Sequence, residues 1–228
     1  GVRLSKPQEY TKKMNLLLTS SGLSKRDIGK ALQEMVVKAP SECKVGFIPT
    51  AANVEPYNKD WLIGQFLQLQ RYGFYQIDII DISADGVDWR ARLADVDILW
   101  LSGGNTFHLL DQVRKTGFDT WLKENIESKV YVGGSASTIL MTPSIEIASP
   151  IDSNEIGLTD LTGLHYVDFE INVHCDEASM NETAEYAKSR PNDVYALDDL
   201  SAIKVVDGAV EVISGGTWKH CAHGKIES

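Results

Sequence analysis

From Met14 onward, short aliphatic or β-branched runs alternate with helix-length amphipathic stretches, and this order constrains the fold more than any other feature of the chain. Strand, helix and strand in succession close most simply as a parallel pair with the crossover helix packed on the sheet, so repetition builds a parallel sheet covered on both faces. MNLLLTS (14–20) reads as the first strand, and 24–38 as a helix closed by Pro40. KVGFIP (44–49) is the second strand, 57–72 an aromatic-rich helix ending at Gly73, and 75–82 the third strand. VDILWL (96–101) is so apolar that it belongs inside the sheet. Asn105 then caps a helix through FHLLDQVRK, which Gly117 ends. A further helix over 118–128 leads to KVYV (129–132), which runs straight into Gly133, Gly134 and Ser135.

Beyond Ser137 the pattern loosens. VDFEINVH (167–174) reads as a strand, and the segment from VYAL (194–197) to 214 as strands around an Asp207-Gly208 hairpin turn, which adds an antiparallel edge to a mixed sheet. The expected architecture is therefore α/β: a three-layer α/β/α sandwich with a mostly parallel central sheet and an antiparallel edge, formed by a single domain over 14–228. Residues 1–13, polar and basic, read as a leader or upstream extension and contribute nothing to this argument.

Composition narrows the function classes. An apolar share of 43% with 24% charged residues is that of a globular chain, not a disordered one. Asp plus Glu outnumber Lys plus Arg by 32 to 22, a net charge of −10 that repels phosphate backbones and anionic lipid, so neither nucleic acid nor membrane is an expected partner. Three cysteines without a CxxC pair suit a reducing, cytoplasmic setting.

In an open α/β sheet the ligand crevice lies at the carboxyl ends of the strands, and both glycine-rich turns of this chain fall at such ends. Gly133-Gly134-Ser135-Ala136-Ser137 approximates G-x-S-x-G, in which a strained strand-to-helix turn exposes a serine hydroxyl between small neighbours. A tight turn with a capping serine is the plainer account of the same residues. Ser102-Gly103-Gly104-Asn105-Thr106 lacks the downstream Gly and the Lys of a P-loop, and its backbone N–H groups suit an oxyanion better than a nucleotide phosphate. His174, at a strand end, has the chemistry of a general base, provided that an acid fixes its tautomer; Asp198 and Asp199 both follow VYAL and both qualify. A surface histidine and a solvated turn are the corresponding ordinary readings. His220-Cys221-Ala222-His223 has the look of a metal-binding tract, yet such residues near a chain end are more often incidental, and it is assigned no site.

MNLLLTSSG, FIPTA (47–51), DVDILWLSGGNTFHLL (97–110) and KVYVGGSAS together resemble the aspartyl dipeptidase (peptidase E) and cyanophycinase family of serine peptidases, with SGGNTF the most specific block and INVH and YALDDLSAI extending the similarity. The resemblance implies a class I glutamine amidotransferase-like fold with serine in place of cysteine. Position by position it implies Ser135 as nucleophile, His174 as base, Asp199 as the orienting carboxylate where peptidase E has Glu, and the backbone N–H groups of Gly104 and Ala136 as the oxyanion hole. No metal or organic cofactor is implied. Two positions depart from the family pattern: Ser137 stands where the elbow usually ends in Gly, with crowding the expected consequence, and Val173 precedes the histidine where Pro is common.

The expected activity is hydrolysis of short peptides through an acyl-enzyme, and self-association is compatible with it. The rival is a catalytically weak or inactive member of the same fold that binds a small ligand. Selection of an N-terminal aspartate needs a cation, usually Arg. Between Lys129 and Lys188 there is neither Lys nor Arg but ten Asp and Glu. The site is therefore expected to accept first residues other than Asp, with Glu146 and Asn105 as substrate contacts, although Arg71, Arg114 or Arg190 could reach in from outside.

Overall fold

The computed structural model describes residues 13–223. All of the leader segment except Lys13 lies outside the described residues. Seven strands form the main sheet: β1 (Asn15–Thr19), β2 (Lys44–Ile48), β3 (Gln76–Ile79), β4 (Ile98–Leu101), β5 (Val130–Gly134), β8 (Ser201–Val206) and β9 (Ala209–Ser214). Their spatial order is β3-β2-β4-β5-β1-β8-β9, with the first five mutually parallel and the last two antiparallel.

Period-two alternation sorts the strand residues into two cores. Leu16, Leu18, Leu99, Leu101 and Tyr131 face one side, and Leu17, Val45, Phe47, Ile98, Trp100, Val130 and Val132 the other. The second side is covered by α1 (Arg26–Met35), through Ile28 and Leu32, and by α2 (Asp60–Arg71), through Leu69. The first is covered by α3 (Trp89–Ala94), α4 (Thr106–Thr116) and α5 (Phe118–Asn125), with Leu93, Phe107, Leu110, Val113, Phe118 and Leu122 buried against the sheet. This is the three-layer α/β architecture expected from the sequence. Crossovers leave β1 and β2 over one face and β3 and β4 over the other, so a crevice opens at the carboxyl ends of β4, β5 and β1.

The β8–β9 hairpin turns at Asp207 (φ 50°) and Gly208 (φ 83°), both left-handed, as a two-residue turn matched to strand twist requires. Three expectations need correction. VYAL, now β7 (Val194–Leu197), is not in the main sheet; it pairs with β6 (Glu170–Asn172) and β10 (Trp218–Cys221) in a separate three-stranded sheet. The strand read over 167–174 shrinks to β6, and His174 has left-handed backbone (φ 57°) that extended pairing does not accommodate. α3 and α7 (Glu177–Ala187) escaped the pattern; α7 buries only Met180, Thr183 and Ala187, and its start is fixed locally by a capping box between Asp176 and Ser179.

The His220/His223 tract acts as a clasp. Asp193, just before β7, accepts from the His223 backbone N–H (2.9 Å) and is paired with the His223 (2.7 Å) and His220 (2.8 Å) rings. The His223 backbone and ring bonds, with help from His220, hold its carboxyl down at about 2 against the opposing effect of burial. A depressed folded-state value means stability that is present above the ordinary 3.8 and lost as pH falls toward 2. Asp193→Asn should therefore cost about 1 kcal/mol near neutrality, after discount for partial exposure, and thermal melts of the two proteins should converge by pH 2.

Candidate active site

β5 delivers Ser135 at the mouth of the crevice, and α6 (Ala136–Ile139) begins at the next residue. Ser135 has φ 54° and ψ −110°, a conformation that costs a non-glycine residue about 1–3 kcal/mol and survives only where its surroundings enforce it. Those surroundings are specific: the Ser135 N–H donates to Thr19 O (3.0 Å), and the Thr138 (2.9 Å) and Ile139 (3.1 Å) N–H groups donate to Ser135 O. Gly103 packs against the turn so closely that a Cβ there would lie 3.1 Å from Ser135 Cβ. At Gly104 (φ 134°) a Cβ would lie 2.1 Å from Ala51 O, so only glycine fits.

Three residues from distant segments meet here. Ser135 Oγ is 2.8 Å from His174 Nε2, and His174 Nδ1 is 2.5 Å from Asp199 Oδ1. A carboxylate only accepts, so Nδ1 carries the proton and Nε2 is free to accept from the serine hydroxyl. Ser20 and Ser21, at the end of β1, complete the support: the His174 N–H donates to Ser20 Oγ (2.8 Å), while the Ser21 (2.9 Å) and Ser20 (3.4 Å) hydroxyls donate to Asp199 Oδ1. Burial pushes the Asp199 carboxyl up, but its hydrogen bond and electrostatic attraction to His174 and the bonds from the two serines outweigh that effect and hold it below 3.8. Asp198 is committed elsewhere. Its carboxylate accepts from the Leu200 N–H, the Ser201 hydroxyl and the Thr217 N–H, which pins the turn between β7 and β8.

Ser137 does not crowd the elbow. Its side chain is fully buried, with Oγ accepting from the Gly134 N–H (2.8 Å) and donating to Leu101 O (2.5 Å), so the hydroxyl ties the end of β4 to the end of β5. Ser137→Ala should remove this tie between β4 and β5 and cost about 1–3 kcal/mol in denaturant melts, while activity at 25 °C changes less than severalfold.

The crevice is a cavity of about 780 Å³ lined by Ser20, Ser21, Gln65, Gln68, Gly103, Gly104, Asn105, His108, Ser135 and His174, with Val54, Pro56, Trp61, Ile151 and Ile156 as apolar wall. Burial holds the His108 imidazole below its ordinary value. Ala136 sits at the first position of α6, where a backbone N–H has no intrahelical acceptor. Asn105 lines the cavity, but both ends of its amide are occupied: Oδ1 caps α4 through the His108 N–H (2.9 Å) and Nδ2 donates to Ser153 O (2.8 Å). These two bonds fix the orientation of its side chain at the cavity wall.

Glu146, expected as a substrate contact, is not part of the lining; it pairs with Arg190 (2.5 Å), which also holds the fully buried Glu170 (2.8 Å). The acidic lining comes instead from Glu55, Asp152 and Glu155. Among the described residues no Lys or Arg lines the cavity. Arg114 is bound to Asp160 and to the carbonyls of Asp160 and Thr162, and the Lys59 ammonium donates to the Glu55 carbonyl. Among the described residues no cluster of His, Cys, Asp and Glu could hold a metal ion, and no helix is long and apolar enough to cross a membrane.

The family model of peptidase family S51 matches residues 16–213. An uncharacterized peptidase of Pasteurella multocida is 31% identical over 182 residues, which are 75% of this chain and 84% of that protein. A peptidase E of Nostoc is 26% identical over 224 residues, covering 91% of this chain and 88% of its own length. Among solved structures, a Listeria monocytogenes protein provisionally named a peptidase E superposes with a TM-score of 0.77 at 26% identity, over 90% of this chain and 100% of the other.

Proposed function

The chain belongs to peptidase family S51, and on that premise we propose that it cleaves short peptides by a serine mechanism through an acyl-enzyme. The observation that carries this reading is the hydrogen-bonded series Ser135–His174–Asp199 with its nucleophile on a strained turn at a cavity of peptide size. Ser135 Oγ attacks the scissile carbonyl carbon while His174 Nε2 takes its proton, and Asp199 stabilises the imidazolium that results. The tetrahedral oxyanion is met by the N–H groups of Gly104 and Ala136. His174 then protonates the departing amine, leaving Ser135 acylated. A water that gives its proton to the same Nε2 releases the acid and restores the hydroxyl.

The same cavity supports a substrate range that is not restricted to N-terminal aspartate. A substrate carboxylate taken out of water needs a fixed cation, and the three side chains that carry formal charge in the lining are all acidic. Glu155 is exposed; Asp152 is half-buried and already accepts from the Thr106 N–H at the start of α4 (2.8 Å). Such a lining favours a free α-amino group and neutral or basic first residues. Measured kcat/KM should be at least tenfold lower for Asp-Leu than for Leu-Leu and Arg-Leu. A clear preference for Asp-Leu would overturn the charge argument and leave the serine mechanism standing.

A further inference from the structure

α2 buries Gln65 and Leu69, one turn apart, on the stripe where an amphipathic helix ordinarily carries apolar side chains. Gln65 is 6% exposed and lines the cavity. Its Oε1 accepts from the indole Nε1 of Trp100 at 3.0 Å. An indole N–H can only donate, so the amide oxygen must be the atom that faces Trp100 and the orientation of the amide is fixed by chemistry. Nε2 is thereby turned toward the nucleophile elbow: a Cβ placed on Gly134, the residue before Ser135, would lie 3.4 Å from Nε2 and 3.7 Å from the Gly103 nitrogen. No bond from Nε2 to a protein acceptor is seen among the described residues, and Nε2 is not among the buried polar atoms left without a partner, so this N–H group opens onto the cavity that Gln65 lines.

We infer that Gln65 is a substrate-binding residue, whose Nε2 donates to an acceptor oxygen of the bound peptide beside Ser135. This inference rests on the serine-peptidase reading of the same cavity. Either a backbone carbonyl of the peptide or a C-terminal carboxylate that stays hydrated at the cavity mouth can accept this N–H. Trp100 is the positioning residue that keeps the donor aimed.

The test compares wild type, Gln65→Met and Gln65→Glu, with Leu-Leu and Leu-Leu amide as substrates and phenylmethylsulfonyl fluoride as a reagent for Ser135 that carries no peptide. Met removes donor and acceptor without adding charge; Glu keeps the oxygen that Trp100 needs and so preserves the packing of α2. Both variants should show kcat/KM at least fivefold lower, mainly through KM, with serine labelling within twofold of wild type. A larger loss on Leu-Leu than on its amide assigns the acceptor to the carboxylate, and equal losses assign it to a carbonyl. Unchanged KM in both variants, or labelling that falls in step with turnover, overturns the inference while leaving the serine mechanism intact. Absence of labelling in the wild type overturns the serine reading and this inference with it.

Discussion

Ser135→Ala is expected to fold and melt like the wild type, within about 1 °C, and to lose peptide hydrolysis by at least about 10⁴-fold. The two halves of this expectation have separate causes. Alanine keeps the Cβ and the backbone bonds that hold the elbow, from the Ser135 N–H to Thr19 O and from the Thr138 and Ile139 N–H groups to Ser135 O. The hydroxyl, by contrast, is engaged with His174 alone, so its removal deletes the nucleophile and little else. What survives is the contribution of the oxyanion donors and substrate binding, which cannot replace a covalent step. Turnover above a tenth of wild type would place the nucleophile elsewhere.

The second large effect separates two adjacent carboxylates. Asp199→Asn should lower kcat by about 10³- to 10⁴-fold, because an amide presented to Nδ1 no longer fixes the tautomer that leaves Nε2 as acceptor and no longer stabilises the imidazolium. Asp198→Asn should change kcat only severalfold at 25 °C and instead lower the melting temperature, since Asp198 holds the turn through Leu200, Ser201 and Thr217. The pH dependence follows from the depressed Asp199 carboxyl. A value below 3.8 keeps it ionised through the neutral range, so its contribution is present above about pH 4 and is lost as pH falls through its folded-state value. Asp199→Asn should therefore remain the slower enzyme at every pH from 5 to 8. The reverse ranking of the two aspartates would move the orienting role to Asp198.

The parts of this arrangement that the sequence discloses are those written in consecutive residues. VDILWL and KVYV mark inner strands because a strand buried on both faces is apolar without a break, and Gly103, Gly104, Gly133 and Gly134 mark their ends because only small residues allow backbones to pass so near a reactive side chain. His174 and the Asp198-Asp199 pair are visible as polar residues at strand ends. What the pattern does not contain is which strand joins which sheet: β7 is recognisable as a strand, but its removal to the small sheet depends on pairing with β6 and β10, and periodicity carries no partner information. The cavity wall is hidden for the same reason. Asp152 enters the lining through a bond to the Thr106 N–H, 46 residues away in the chain, and Glu146 is withdrawn by Arg190, 44 residues away. A count of acids gives the sign of the pocket's charge but not the residues that supply it. Gln65 left one trace, a polar residue on the buried stripe of α2, which ordinary amphipathic reading passes over.

The central claim is that Ser135 is the nucleophile of an acyl-transfer site built by β1, β4 and β5. Treatment of the full chain with a fluorophosphonate, followed by intact mass measurement and peptide mapping, tests it most directly. The account predicts a single adduct, located on Ser135, that forms in the wild type, fails to form in Ser135→Ala, and forms far more slowly in Asp199→Asn. An adduct located on another residue, or a wild type that cleaves dipeptides while remaining unmodified at Ser135, would contradict it.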